Sequence, residues 1–208
     1  MSRSLASAFQ NVVAAAAAAA MLAACSITRP APVKEMFLIE APPATAVASA
    51  SPRSARIGTV TVAAPYRDRA FVVREAELRF ENDFYHEYVV APSAMIAEAI
   101  ARSLAEAKVF SKVIPPGAPP EADFTIDAFV SSLYADNRDP KAPAAELAIT
   151  FYVSRSDAGG APIWSRSYSR RTVMTAPSAA TYVAAQSAAL GEILAEAARD
   201  MAAERALR

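Results

Sequence analysis

Few residues in this chain have the types and spacing that chemistry requires. Its 208 residues include one cysteine, Cys25, and one histidine, His86. A Cys/His zinc site draws on three or four protein ligands, so these two cannot build one, and no EF-hand spacing is present. No metal or cofactor is expected. His86 lies in Phe84-Tyr85-His86-Glu87-Tyr88, with no nucleophile–base partner in sequence and no G-x-S-x-G elbow elsewhere. Only five glycines occur, and none forms a Walker-type or G-x-G-x-x-G phosphate loop. His86 therefore reads as a loop histidine ahead of a helix, the alternative being a pH-sensitive or partner contact. Glu81, Asp83 and Glu87 are close enough in sequence for paired acid/base work, but they read more simply as a solvated strand edge and loop. No catalytic set emerges.

A second group points to binding. In Trp164-Ser165-Arg166-Ser167-Tyr168-Ser169-Arg170, alternation places Trp164, Arg166, Tyr168 and Arg170 on one face of a strand and serines on the other. Trp, Tyr and Arg are enriched at interaction hot spots. The row is a candidate partner or oligomer surface. The competing reading is a sheet face covered by long side chains that snorkel.

The cysteine has a position that explains it. Arg3 gives a short positive start, Val12 to Ala24 is an unbroken apolar run, and Leu22-Ala23-Ala24-Cys25 closes it. The run falls short of the roughly 20 apolar residues that span a bilayer, so it reads as a signal peptide over 1–24 rather than a membrane helix. Its end resembles the bacterial lipobox, in which small residues fit the peptidase cleft and the cysteine thiol takes a diacylglycerol thioether. That resemblance implies cleavage before Cys25, acylation there (palmitate in a labelling experiment), and a membrane anchor. Ser26 follows the cysteine, and not the aspartate that often retains such proteins at the inner membrane. The expected address is the periplasmic face of the outer membrane. The alternative is an ordinary signal peptide cut after an Ala-x-Ala-like site.

The rest of the chain must supply the module being anchored. Residues 25–55 are rich in Pro, Ala and Ser and read as a tether, interrupted by a candidate first strand at Met36-Phe37-Leu38-Ile39. A domain is expected over 56–208. Ile57, Val60 and Val62, then Phe71-Val72-Val73, then Glu77 to Asp83 read as short strands. Pro92 opens a helix whose Met95, Ile96, Ala99, Ile100 and Leu104 form one stripe, with Glu98, Arg102 and Glu106 spaced for ion pairs on the other. Val109, Phe110, Val113 and Ile114 follow. Phe124 to Val130 and Leu147 to Val153 alternate as strands, and Asp157-Ala158-Gly159-Gly160 turns into a returning strand, 163–174. Ser178 is placed to cap a last helix with Val183, Ser187, Leu190, Leu194, Ala197 and Met201 on its apolar face. Gly191 within it predicts a close approach of the helix to the sheet. The order predicts an α+β domain, a mainly antiparallel β-sheet with two helices packed on one face.

Lys+Arg and Asp+Glu balance at 21 each, so no electrostatic footprint for nucleic acid exists. Three stretches together resemble the ABC-type transport auxiliary lipoprotein family, which includes the paraquat-inducible-protein C type. They are the lipobox followed by Met36 to Ile39, the run Val60-Thr61-Val62-Ala63-Ala64-Pro65-Tyr66-Arg67-Asp68-Arg69-Ala70-Phe71-Val72-Val73-Arg74, and Phe84 to Pro92 leading to Phe110-Ser111-Lys112-Val113. Arg67 and Val90 depart from the leucine and tryptophan common there. The resemblance implies a non-enzymatic accessory of an intermembrane lipid transporter, with MCE-type or ABC components as partners and a homo-oligomer as one form. Apart from that family, an outer-membrane assembly or envelope-structural lipoprotein is the alternative, and a periplasmic hydrolase using His86 the remotest reading.

Overall fold

The structure is a computed structural model that describes residues 33–48, 50–118, 121–157 and 159–208. Three long strands form its centre: β6 (Phe124–Asp136), β7 (Ala144–Arg155) and β8 (Pro162–Val173), paired antiparallel along almost their whole lengths. Alternation makes them strands. Phe124, Ile126, Ala128 and Val130 of β6 and Leu147, Ile149, Phe151 and Val153 of β7 are all buried, while Thr125, Asp127, Thr150 and Tyr152 face outward. A bulge between Val130 and Ser132 shifts the phase so that Leu133 and Ala135 stay inside. Gly159 and Gly160 adopt positive φ in the β7–β8 turn, which side-chain-bearing residues resist.

The other edge of β6 is shared. Its first half pairs parallel with β2 (Ser51–Val62), and its end pairs parallel with β3 (Ala70–Arg74). β5 (Phe110–Ile114) lies parallel beside β2; β4 (Phe80–Tyr88) runs antiparallel beside β3; β1 (Glu35–Phe37) adds parallel to β4. One eight-stranded sheet results. It is mostly antiparallel by length, with β2 as its main parallel member.

Two helices cover one face. α1 (Pro92–Glu106) packs on β2 and β5 through Met95, Ile96, Ile100 and Leu104; α2 (Ala179–Ala203) packs on β7 and β8 through Leu190, Ile193, Leu194 and Met201. Each such side chain, once buried, contributes about 1.5–3 kcal/mol. The architecture is the expected α+β sheet with two helices on one face.

Four local expectations change. The aromatic run 84–88 is strand, so His86 stands in β4 and not in a loop. The tether read over 25–55 ends sooner: Lys34 onward belongs to the folded unit, and β2 begins at Ser51 rather than 56. Gly191 approaches not the sheet but Pro42, whose Cδ would lie 2.5 Å from an added Cβ. Nor does an ion pair join Glu98, Arg102 and Glu106 among the described residues; Glu106 instead accepts the Ala44 amide at 2.9 Å.

Candidate functional site

Cys25 and the lipobox residues Leu22, Ala23 and Ala24 lie outside the described residues. The described chain opens at Val33, 86% exposed, and joins the domain at the β1 edge. Lys34 and Arg69 both reach the Glu87 carboxylate, at 3.3 and 2.6 Å, and Arg69 also donates to the Tyr88 carbonyl. Lys34 thus fastens the β1 segment to β4, and Arg69 fastens the start of β3 to the same strand. Residues 38–48 then cross both helices as a strap. Ile39 and Ala41 are buried, the Glu40 amide donates to Ser187 Oγ, Pro42 sits on Gly191, and the Val47 amide donates to the Ala107 carbonyl at 2.8 Å. Between strap and α2 runs a mainly apolar groove of about 830 Å³, with Ala188, Ala195, Arg199 and Arg208 in its lining.

A polar groove of about 610 Å³ lies where β2 and β6 begin and β7 ends. Asp123 accepts the Ser54 amide and hydroxyl at 2.8 Å each, bonds that, with a smaller contribution from its ion pair with Arg53, hold its carboxyl below the usual range. Arg56 and Arg155 add positive charge to the same lining.

The acidic group of the sequence is dispersed. Glu81 pairs with Arg79 and Glu87 with Lys34 and Arg69, while Asp83 accepts from the His86 ring at 2.6 Å. Burial opposes ionisation of Asp83, but the His86 ring and the Tyr85 and His86 amides outweigh it and lower its pKa. His86 rests against Phe37 and Phe71 on the inner side of β4, with Glu35 at 4.0 Å from Nε2. This is an acid–histidine pair, and no hydroxyl is hydrogen-bonded to Nε2 among the described residues.

The Trp164 row faces α2. Tyr168 is 5% exposed and donates to Asp200 at 2.7 Å; burial and the neighbouring carboxylate push its hydroxyl pKa up. Arg170 pairs with Glu192 and Glu196. Arg166 pairs with Asp200 at 2.6 Å yet keeps half its side chain exposed. A partner could meet Trp164 and Arg166 here, but Tyr168 and Arg170 are already engaged within the chain.

Sequence reasoning missed a different surface. Met36, Leu38, Phe84, Tyr85, Val89 and Val90 are between 43 and 64% exposed. The register sets them side by side: Met36 stands opposite Glu87, and the Val89 amide donates to the Phe37 carbonyl. The available signal was the aromatic segment itself, whose apolar residues do not alternate cleanly.

The fold and these surfaces define a small sheet-and-helix module with open faces. Residues 37–198 match the family described as the ABC-type transport auxiliary lipoprotein component, and the chain belongs to that family. Membership makes it an auxiliary part of a transporter and a membrane-anchored protein of the cell envelope. Solved structures share the fold. A protein of Xanthomonas campestris from the family DUF330 is 14% identical with a TM-score of 0.70, the match covering 81% of this chain and 95% of that one. An uncharacterized protein is 10% identical with a TM-score of 0.65, covering 81% and 99%. Comparison with curated proteins finds no match.

Proposed function

We propose that this protein is a non-enzymatic accessory of an MCE-type intermembrane lipid transport system, held at the periplasmic face of the outer membrane by acyl chains on Cys25 and docking the transporter there. The observation that carries the reading is the spacing of its anchor: the sole cysteine ends an apolar signal and stands eight positions before Val33, in a chain whose family is the transport auxiliary lipoprotein component. Acyl chains contribute about 0.8 kcal/mol per buried CH₂, so two or three hold the module firmly.

The test is crosslinking in native membranes followed by identification of the captured proteins. An MCE-type or permease component is the expected capture. Capture of a barrel-assembly protein or of cell wall instead supports an envelope-structural lipoprotein. For the anchor, Cys25→Ala is expected to abolish palmitate labelling and to release the protein from outer-membrane fractions. Continued labelling removes the claim.

A further inference from the structure

Six of the large apolar side chains that the fold leaves in water gather at one place, around β1 and the end of β4. Met36, Leu38, Phe84, Tyr85, Val89 and Val90 are all at least 43% exposed. Phe84 and Tyr85 contact edge to face at 5.3 Å, and the Lys34 ammonium lies 5.5 Å from the Phe84 ring centre. A soluble domain that exposes such a cluster uses it for an interaction. Its position in the chain identifies the interaction. Eleven residue steps separate Met36 from Cys25, and an extended chain spans at most about 3.5 Å per step, so the patch at Met36 stays within about 39 Å of an acyl anchor at Cys25.

We infer that the β1–β4 patch lies directly on the lipid surface that holds Cys25, as a second, non-covalent membrane contact. The inference rests on the proposed acylation of Cys25. The chemistry fits a bilayer interface. Phe, Tyr, Leu and Met enter the boundary between headgroups and acyl chains, and Lys34 meets anionic headgroups. The carboxylate that would oppose this, Glu87, is 16% exposed and held by Lys34 and Arg69. Asp83 is bound by His86, and Glu35 stands beside His86 on the other side of β1. The docked domain would lie against the membrane rather than hang from a loose tether.

The test uses the full mature chain, purified acylated from its host and placed in vesicles of phosphatidylethanolamine and phosphatidylglycerol. Trp164 lies on β8, at the far edge of the sheet, and reports a surface away from lipid. In a Trp164→Phe background, Phe84→Trp places the only tryptophan in the patch. Brominated lipids are expected to quench its fluorescence at least twofold more than they quench Trp164 in the parent. Adding Leu38→Asp and Val89→Asp is expected to abolish the excess while leaving the unfolding transition in place. Equal quenching at both positions with Cys25 acylated overturns the placement but leaves the anchor. A bare Cys25 overturns both. A detergent-solubilised mass of several chains that falls to one chain with the aspartate substitutions assigns the patch to contacts between copies and overturns the lipid assignment.

Discussion

Asp136 shows how a single side chain can hold a corner of this fold. It is 1% exposed, yet it is ionised between Arg138 and Arg171, each at 2.8 Å. Hydrogen bonds from Arg138, then Arg171, outweigh burial and keep its carboxyl well below the usual carboxylate range. A carboxylate depressed in the folded state stabilises fully above its ordinary pKa, about 3.9, and loses that contribution as pH falls toward the folded value. The thermal midpoint of the parent protein is therefore expected to drop more steeply between pH 5 and pH 3 than that of Asp136→Asn. At pH 7, Asp136→Ala is expected to cost about 1.5–3 kcal/mol by denaturant titration, since it removes charge-assisted hydrogen bonds from Arg138 and Arg171, which keep Glu77 and Glu146 as their other partners. The sequence showed this residue only as one acid among 21. Its partners come from a loop and from β8, 35 positions away for Arg171, and such a meeting has no local trace. The alternation of the Trp164 row was legible, but not which of its faces α2 would cover. Alternation gives two faces and does not say which is covered.

At the scale of elements, most helices and strands were legible and their partners were not. Ser178 announced the start of α2, and the structure has a reciprocal capping box there, with Ser178 accepting the Thr181 amide and the Thr181 hydroxyl accepting the Ser178 amide. Ser178→Ala is expected to lower stability by about 1 kcal/mol in chemical denaturation. Gly191 announced a close approach, and the strap supplies it. In an open helix Gly→Ala gains about 1 kcal/mol; here the new Cβ would meet Pro42 at 2.5 Å. Gly191→Ala is expected to give no gain, and to speed proteolytic cleavage within 41–48 as the strap lifts. The strap itself was read as tether because its prolines and alanines have no period. It is held by isolated contacts with α1 and α2 rather than by a buried stripe. The segment 84–88 escaped recognition for the opposite reason: nearly every residue is bulky, so no alternation marks it as strand. The parallel pairing of β2 with β5 and β6 joins segments tens of residues apart, and no turn signal records it.

At the scale of the molecule, β8 is the longest strand paired on one side only among the described residues, against three residues in β1 and five in β5. β8 offers 12 residues paired only to β7 among the described strands, and an unpaired edge of that length recruits further strands. Arg166 and Arg170 point charges inward beside that edge and bind them to α2. Replacing both with valine is expected to preserve the helical circular dichroism signal while sedimentation shows association that grows with concentration. The converse outcome, a monomer at all concentrations, would mean that the serines and the remaining Arg171 suffice.

The first and last parts of the folded unit also meet. Ser51, where β2 begins, donates its hydroxyl to the carbonyl of Leu207, and Leu207 is itself fully buried. β2 waits for β5 and β6, and the meander waits for α2, so the core closes only when the final thirty or so positions arrive. If the chain is exported as the proposed anchor requires, that arrangement is an advantage: until its last positions have been made, the core cannot close, and an unclosed chain can still be threaded through a membrane.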